Sequence, residues 1–298
     1  MPVTLLVSHP KWTWRDWLKE NLDNQDLLVL DPSSPDHGPP ARCSLVRAGK
    51  TIRWQLVGHT DVQRNPIAFL SAASALARES RQDLVVQLFP MRLSPVLRQL
   101  ALTVAQIFEP SKVLVPAQSR FEMQPWVGTA ETVELPEAFP ATVQDAQRRA
   151  TWIDLQERCE FHKVDLAEIG IHGTRLGSGV RLKHTDFNEF AEVSGGVLHV
   201  ITDREIEDDE VSRAMNLTHA SRVSIVSPRS YERLICSFAD KRGRDFGMGF
   251  IESIDPREGT AEILCEAVVP APVKNLRIGT LQVSPDGQEV GSLNLWTV

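Results

Sequence analysis

The chain has 298 residues, of which 42% are apolar and 24% charged, a composition typical of a folded protein that excludes a largely disordered one. No stretch reaches the roughly 18 uninterrupted apolar residues of a membrane helix, and the N-terminal MPVTLLVSHP lacks the features of a signal peptide. We therefore predict a cytoplasmic protein without a membrane association. The net charge of −7 indicates no strong basic footprint for broad nucleic-acid binding, and the four scattered cysteines predict no metal site.

Residues 1–118 alternate between short apolar runs and amphipathic stretches, which is the pattern of an α/β domain with a parallel sheet. The predicted strands are Val3–Val7, Leu27–Leu30, Ile52–Val57, Leu84–Leu88 and Val113–Val115. The predicted helices are Trp14–Leu22, Pro66–Ala77 and Ser94–Phe108. This part carries 13 Lys and Arg against 10 Asp and Glu, whereas the remainder is acidic. A polyanion would therefore bind to residues 1–118 rather than to the rest of the chain.

The rest of the chain shows two further patterns. Residues 119–163 combine a linker rich in Pro, Glu and Thr at 120–140 with a helix predicted over Thr142–Glu160. From residue 164 to 298, short β-like runs separated by turn sequences recur about every ten residues, which predicts a smaller β-rich domain, an antiparallel barrel or sandwich. One acidic helix is predicted around Asp203–Met215.

The chemistry is expected at the turn after the first strand, because ligands of parallel sheets bind beyond the carboxyl ends of the strands. There the sequence LLVSHPKWTWRDWL leads a strand directly into a helix, whose free amides attract an anion. Lys11 and Arg15 add positive charge. A solvated surface turn is the alternative. Trp12, Trp14 and Trp17 could stack on a base, pack in the core or form an apolar plug over the pocket.

Five stretches of the chain carry a family resemblance through their order and spacing. They are LLVSHPKWTWRDWL, LLVLDPSSPDHGPPARCSLV, LVGHTDVQRNPIAFLSAASAL, DLVVQLFPMRLSPVLRQLALTVAQIFEPSKVLV and LICSFADKRGRDFGMGFIESIDPREG with its continuation. Together they resemble the P-loop polynucleotide 5′-hydroxyl kinases, which include the pre-mRNA cleavage-complex kinase and the nucleolar pre-rRNA processing kinases. The resemblance covers most of the chain. It implies a P-loop-NTPase-like parallel sheet with helices on both faces, followed by a smaller β-rich C-terminal domain.

The phosphate-binding loop departs from the family pattern. A working Walker A loop reads G-x-x-x-x-G-K-S/T, in which glycines let backbone amides approach the phosphates. Here His9 and Trp14 stand at the two glycines, Arg15 at the lysine and Asp16 at the hydroxyl. Side chains at the glycine positions restrict positive φ, and the acidic side chain repels phosphates. The resemblance therefore implies a degenerate nucleotide-binding loop, whose residues are His9, Lys11, Thr13, Trp14, Arg15 and Asp16.

Two further segments supply candidate site residues by the same resemblance. The family's general-base aspartate follows the second strand, but this loop is shorter and that aspartate has no counterpart. Asp31 remains as a candidate catalytic carboxylate, with a turn-forming role as the alternative. Arg148 and Arg149 stand where lid arginines clasp the nucleotide phosphates, and an amphipathic helix with exposed arginines is the alternative.

These patterns lead to a first hypothesis and two alternatives. The first is a degenerate, non-catalytic relative of the kinases that acts as a binding or scaffold protein in RNA processing, with a protein or RNA partner and no cofactor. An active 5′-hydroxyl polynucleotide kinase with an atypical phosphate-binding loop, using ATP or GTP with Mg²⁺, is the second. The third is a site for another small anion, held by Lys11, Arg15 and the helix N-terminus.

Overall fold

The structure is a computed structural model that describes residues 2–80, 82–122, 129–182, 189–266 and 273–293. The chain divides into two units, Met1–Trp152 and Ile153–Val298. The sequence-based limits at residues 118 and 164 remain predictions about domain boundaries. Residues 123–128 of the predicted linker lie outside the described residues.

Seven described strands form the sheet of the first unit. They are β1 (Val3–Leu6), β2 (Asp26–Leu30), β3 (Arg42–Arg47), β4 (Lys50–Leu56), β5 (Leu84–Leu88), β6 (Lys112–Pro116) and β7 (Glu131–Val133). Their order across the sheet is β4-β3-β2-β5-β1-β6-β7. Strands β2, β5, β1, β6 and β7 are adjacent in this order and pair in parallel. Strand β3 runs antiparallel to both β2 and β4.

Four helices accompany these strands in the described chain: α1 (Arg15–Asn21), α2 (Pro66–Ala77), α3 (Pro95–Phe108) and α4 (Ala141–Glu157). Pro66 and Pro95 occupy first-turn positions, where the missing amide hydrogen does no harm. Ser94 caps α3, because its side chain accepts a hydrogen bond from Leu97 N at 3.4 Å. Within the described residues, no helix has the length and apolar character needed to span a membrane.

Alternation along the strands places apolar side chains on both faces of this sheet. Leu5 joins a cluster with Phe69 of α2 and Leu97 of α3. Its neighbour Leu6 joins a second cluster that contains Trp14, immediately before α1. Helices therefore cover both faces, as predicted.

The structure corrects three details of the first unit. The predicted strand Ile52–Val57 belongs to an antiparallel hairpin of β3 and β4 rather than to a parallel pair. The helix predicted to reach Glu160 ends at Glu157, because Cys159 already begins a strand of the second unit. The segment 119–163, interpreted as linker and helix, also contains strand β7.

The second unit is rich in strands. They are β8 (Cys159–Asp165), β9 (Gly170–His172), β10 (Val180–Arg181), β11 (Phe190–Ser194), β12 (Val197–Ile201), β13 (Arg222–Val226), β14 (Leu234–Ala239), β15 (Asp245–Asp255), β16 (Thr260–Glu266), β17 (Asn275–Val283) and β18 (Glu289–Ser292). Helix α5 (Asp208–Thr218) lies between β12 and β13. It begins at Asp208 rather than at the predicted Asp203.

The described strands of the second unit form two sheets. One has the order β10-β11-β12-β13, and the other the order β18-β17-β14-β15-β16-β8 with β9 beside β17. Most pairs are antiparallel, as predicted, but β12 pairs with β13 and β9 with β17 in parallel. A parallel pair needs a crossover, which α5 provides between β12 and β13.

Candidate functional site

The carboxyl ends of three adjacent parallel strands form the edge at which a ligand of this sheet would bind. Strands β2, β5 and β1 lie side by side and run in the same direction, so the turns after Leu30, Leu88 and Leu6 meet there. A backbone hydrogen bond from Met91 N to the carbonyl oxygen of Ser8, at 2.9 Å, joins the turns after β5 and β1. The candidate site is built from these turns.

Backbone amides of the turn after β1 already have acceptors within the chain. Lys11 N donates to Nδ1 of His9 at 3.2 Å, and Trp12 N donates to the carbonyl oxygen of His9 at 3.2 Å. Arg15 N donates to Oγ1 of Thr13 at 3.3 Å. Phosphate-binding turns instead point consecutive amides at the ligand. The amides of Lys11, Trp12 and Arg15 therefore donate to neighbouring residues of the turn and do not point together at a ligand.

A distant segment closes the same turn from outside. Thr13 N donates to the carbonyl oxygen of Pro136 at 3.1 Å, and Ala138 N donates to the carbonyl oxygen of Lys11 at 2.9 Å. Trp12 and Glu137 form an antiparallel bridge between these two bonds. The turn after β1 thus pairs with residues 136–138 as a short ribbon.

Trp14 fills the space beneath this turn. Its side chain is only 1% exposed and packs with Leu6 and Leu114 on the α1 face of the sheet. The indole Nε1 donates to the carbonyl oxygen of Val7 at 3.2 Å, and the ring meets Trp17 edge-on with centroids 5.7 Å apart. Trp14, which the sequence predicts at a Walker A glycine position, is therefore a core side chain.

The start of the turn is also buried. His9, predicted from the sequence at the other glycine position, is buried. Ser8 is buried as well, and its Oγ has no hydrogen-bond partner among the described residues. No residue from Ser8 to Asp16 has a positive φ. The backbone therefore lacks the left-handed conformations that glycines would supply in a phosphate cradle.

The charged residues of the turn face solvent. Lys11, Arg15 and Asp16 are exposed. The Arg15 guanidinium lies 5.9 Å from the centroid of the Phe139 ring, and the Asp16 carboxylate accepts a bond from Lys19 at 3.1 Å. Asp16 is thus paired along α1.

Asp31 is a buried carboxyl group in the turn after β2. Ser33 donates to its Oδ1 through the hydroxyl at 2.6 Å and through the backbone amide at 3.0 Å. The pKa of Asp31 is raised to about 6, chiefly by burial and to a smaller extent by the charge of Asp36, while the bonds from Ser33 and the charge of Arg148 oppose the shift. The group therefore changes its protonation state near neutral pH.

Helix α4 brings Arg148 within electrostatic range of Asp31. Arg148 also pairs with Asp145 at 2.5 Å, one turn earlier on the helix. Arg149 is exposed on the same helix. The charge of Arg148 thus reaches Asp31, while the role of both arginines as a lid remains a prediction.

Sequence reasoning missed the pairing of residues 136–138 with the turn after β1. These residues follow a stretch without periodicity, and more than a hundred positions separate them from the turn. Pro136 in ELPEAFP suggested only a linker. Ser33 likewise has no sequence signal beyond its place in the short loop after β2.

Comparisons with known proteins bear on the fold. No protein-family model matches the chain. Solved structures of Clp1p bound to Pcf11p cover 94% of this chain and 74% of the matched chain. One of these structures concerns ATP loss in a glycine-to-arginine mutant and matches this chain with a TM-score of 0.56 at 14% identity. The structure of the wild-type complex matches with a TM-score of 0.55 at 13% identity. The chain has the Clp1p fold.

A curated protein also resembles this chain in sequence. A polyribonucleotide 5′-hydroxyl kinase of Thermococcus kodakarensis is 24% identical over 180 residues, which are 57% of this chain and 50% of that protein. The chain thus spans about half the length of the curated relative it matches. Together with the Clp1p fold, this similarity supports a relationship to the polynucleotide kinases.

Proposed function

We propose that this protein is a non-catalytic relative of the polynucleotide 5′-hydroxyl kinases that acts as a binding or scaffold protein in RNA processing. The closed turn after β1 is the observation that carries the proposal. The amides of Lys11, Trp12, Thr13 and Arg15 are bonded within the chain, and Trp14 is buried beneath them. A triphosphate would have to break these bonds before any of these four amides could reach it.

The residues present do not fit a magnesium nucleotide at this turn. Asp16, which replaces the metal-binding hydroxyl of the motif, is exposed and paired with Lys19. Arg15, which replaces the lysine, lies over the Phe139 ring. Neither side chain is arranged to meet the terminal phosphates, so we assign no ATP, GTP or Mg²⁺ to the protein.

The relatives indicate the kind of partner. The matched structures of Clp1p contain Pcf11p, a protein, and the related kinase acts on polyribonucleotides. We extend both to this chain as a proposal, with a protein or an RNA as the bound partner. The cytoplasmic location likewise remains a prediction.

Active 5′-hydroxyl kinase chemistry is the second candidate, and Asp31 is the observation that favours it. Its pKa of about 6 is suited to accepting a proton near neutral pH, and Arg148 lies within range of its charge. The closed turn opposes this candidate, because it leaves the nucleotide without a cradle.

A phosphate-transfer assay separates the two candidates. The protein is incubated with γ-labelled ATP or GTP, Mg²⁺ and an RNA oligonucleotide with a 5′-hydroxyl end, with the Thermococcus kodakarensis kinase as positive control. We expect no more labelled RNA than with the variant Asp31→Asn/Arg148→Ala. Transfer at least about tenfold above that variant would overturn the proposal in favour of the enzyme.

A further inference from the structure

The two most exposed large apolar side chains of the described residues lie at the starts of two helices of the first unit that pack against each other. Leu93 is 88% exposed and Ile67 82% exposed. Leu93 precedes α3, and Ile67 lies in the first turn of α2. Val96, in the first turn of α3, is also exposed. All three lie where α2 and α3 begin.

A hydrogen bond links these two helix starts. Ser94 Oγ donates to Oε1 of Gln63 at 2.6 Å, while the same oxygen caps α3. Gln63 lies just before α2, and the two helices pack against each other over one face of the sheet. Leu93 and Ile67 therefore flank a fixed junction rather than two independent loops.

Three arginines lie close to this junction in the chain. Arg64, Arg92 and Arg98 are exposed, and in the described ranges their guanidinium groups make no hydrogen bond or ion pair. Asp61 is the acidic residue beside them, and its carboxylate accepts a bond from Gln63 N at 3.0 Å. Three exposed arginines thus lie within four residues of Gln63 or Ser94 in the chain. We call Arg64, Ile67, Arg92, Leu93, Val96 and Arg98 the arginine-rimmed patch.

We propose that the arginine-rimmed patch docks an acidic protein segment that carries apolar anchor residues. The inference rests on the proposed function, because it names the partner that a scaffold would bind. Guanidinium groups pair with carboxylates in a bidentate geometry, and exposed aliphatic side chains gain free energy when an apolar partner covers them. The patch has no aromatic ring on which an RNA base could stack, so its chemistry favours a protein over single-stranded RNA.

A peptide selection tests the proposal with the full chain. Phage-displayed random peptides of about 16 residues, enough for about four helical turns, are selected on the immobilised protein. We expect enriched sequences that combine Asp or Glu with Leu, Ile or Phe. The dissociation constant of such a peptide should rise about tenfold or more with Leu93→Ser and with Arg92→Glu.

Matched variants at another surface of the first unit give the control. Ile107→Ser and Arg53→Glu replace an exposed aliphatic residue and an exposed arginine outside the patch, and they should leave the affinity for the peptide unchanged. An oligouridylate RNA should bind the wild type and the patch variants equally or not at all.

Three results would overturn the proposal. These are a selection that enriches no acidic sequences, peptides that bind the patch variants as tightly as the wild type, and RNA binding that is lost with Leu93→Ser. None of the substitutions lies in the turn from Val7 to Trp14. The phosphate-transfer assay therefore judges the proposed function independently of this inference.

Discussion

The indole nitrogen of Trp14 donates a hydrogen bond to the carbonyl oxygen of Val7 at 3.2 Å, so the residue before α1 is tied to the end of β1. This contact spans the turn that would form a phosphate cradle in a P-loop protein. Because the indole also packs against the sheet, opening the turn would expose a large apolar side chain. The closed turn is therefore stabilised by packing of the Trp14 ring as well as by hydrogen bonds.

Removing the Trp14 ring should destabilise the first unit strongly. Trp14→Ala should lower the free energy of unfolding by about 3–5 kcal/mol, the usual loss for a buried large aromatic side chain. Trp14→Phe keeps an aromatic ring but loses the donor to Val7, and its loss should be clearly smaller. Urea unfolding followed by the fluorescence of the remaining tryptophans measures both. A loss below about 1 kcal/mol for Trp14→Ala would contradict the burial of the indole.

Two aspartates of the first unit should respond very differently to the same substitution. Asp26 is buried and accepts two bonds from Arg47 at 2.8 Å and one from Ser80 at 2.9 Å. Asp26→Asn should therefore lower the free energy of unfolding by about 3–5 kcal/mol. Asp16→Asn breaks only the exposed pair with Lys19, so about 0.5 kcal/mol or less is expected. Equal losses in parallel urea titrations would refute this assignment.

Asp31 should make the first unit less stable as the pH rises. Its pKa is raised from 3.8 to about 6 in the folded state, so the folded chain binds more protons than the unfolded chain between these values. Stability is therefore greatest below pH 3.8 and is lost as the pH rises through about 6. Asp31→Asn, which keeps an acceptor for Ser33, should raise the free energy of unfolding at pH 7 by on the order of 1–3 kcal/mol. A gain that is the same at pH 3.5 would show that the pKa is not the cause.

His199 should make the second unit sensitive to acid. Its Nε2 lies 3.2 Å from the hydroxyl oxygen of Tyr231, and burial, with a smaller effect from Arg175, lowers its pKa from 6.5 to about 4. The unfolded chain takes up this proton first, so stability is full above pH 6.5 and is lost as the pH falls through about 4. Hydrogen exchange of the β12 amides should show this loss. This acid-induced loss of protection should be weaker in His199→Gln. It should be unchanged in the control His219→Asn, at the exposed end of α5. Equal acid sensitivity in the wild type and both variants would exclude His199 as the cause.

The sequence predicts those elements of the fold whose signals are local. Helix Pro66–Ala77 was predicted with its observed bounds, because a proline at its start and four apolar residues at helical spacing mark it. The antiparallel direction of β4 could not be predicted, since it depends on the partner strand rather than on the alternation of side chains.

The features of the candidate site likewise separate into those that local sequence predicts and those that depend on distant parts of the chain. The positions of His9 and Trp14 follow from the chain order of strand, turn and helix, and that of Asp31 from its place directly after β2. Two features could not be predicted: the bond from Thr13 to Pro136, which depends on folding across a long sequence separation, and the raised pKa of Asp31, which depends on burial by distant elements.

Calorimetric titration of the intact protein with ATP and GTP, each with Mg²⁺, tests the closed turn most directly. We expect no heat of binding up to about 1 mM nucleotide, which corresponds to a binding free energy weaker than about −4 kcal/mol. Saturable binding near 10 µM that is abolished by Lys11→Ala or Arg15→Ala would contradict it, because the turn would then have opened to hold the phosphates.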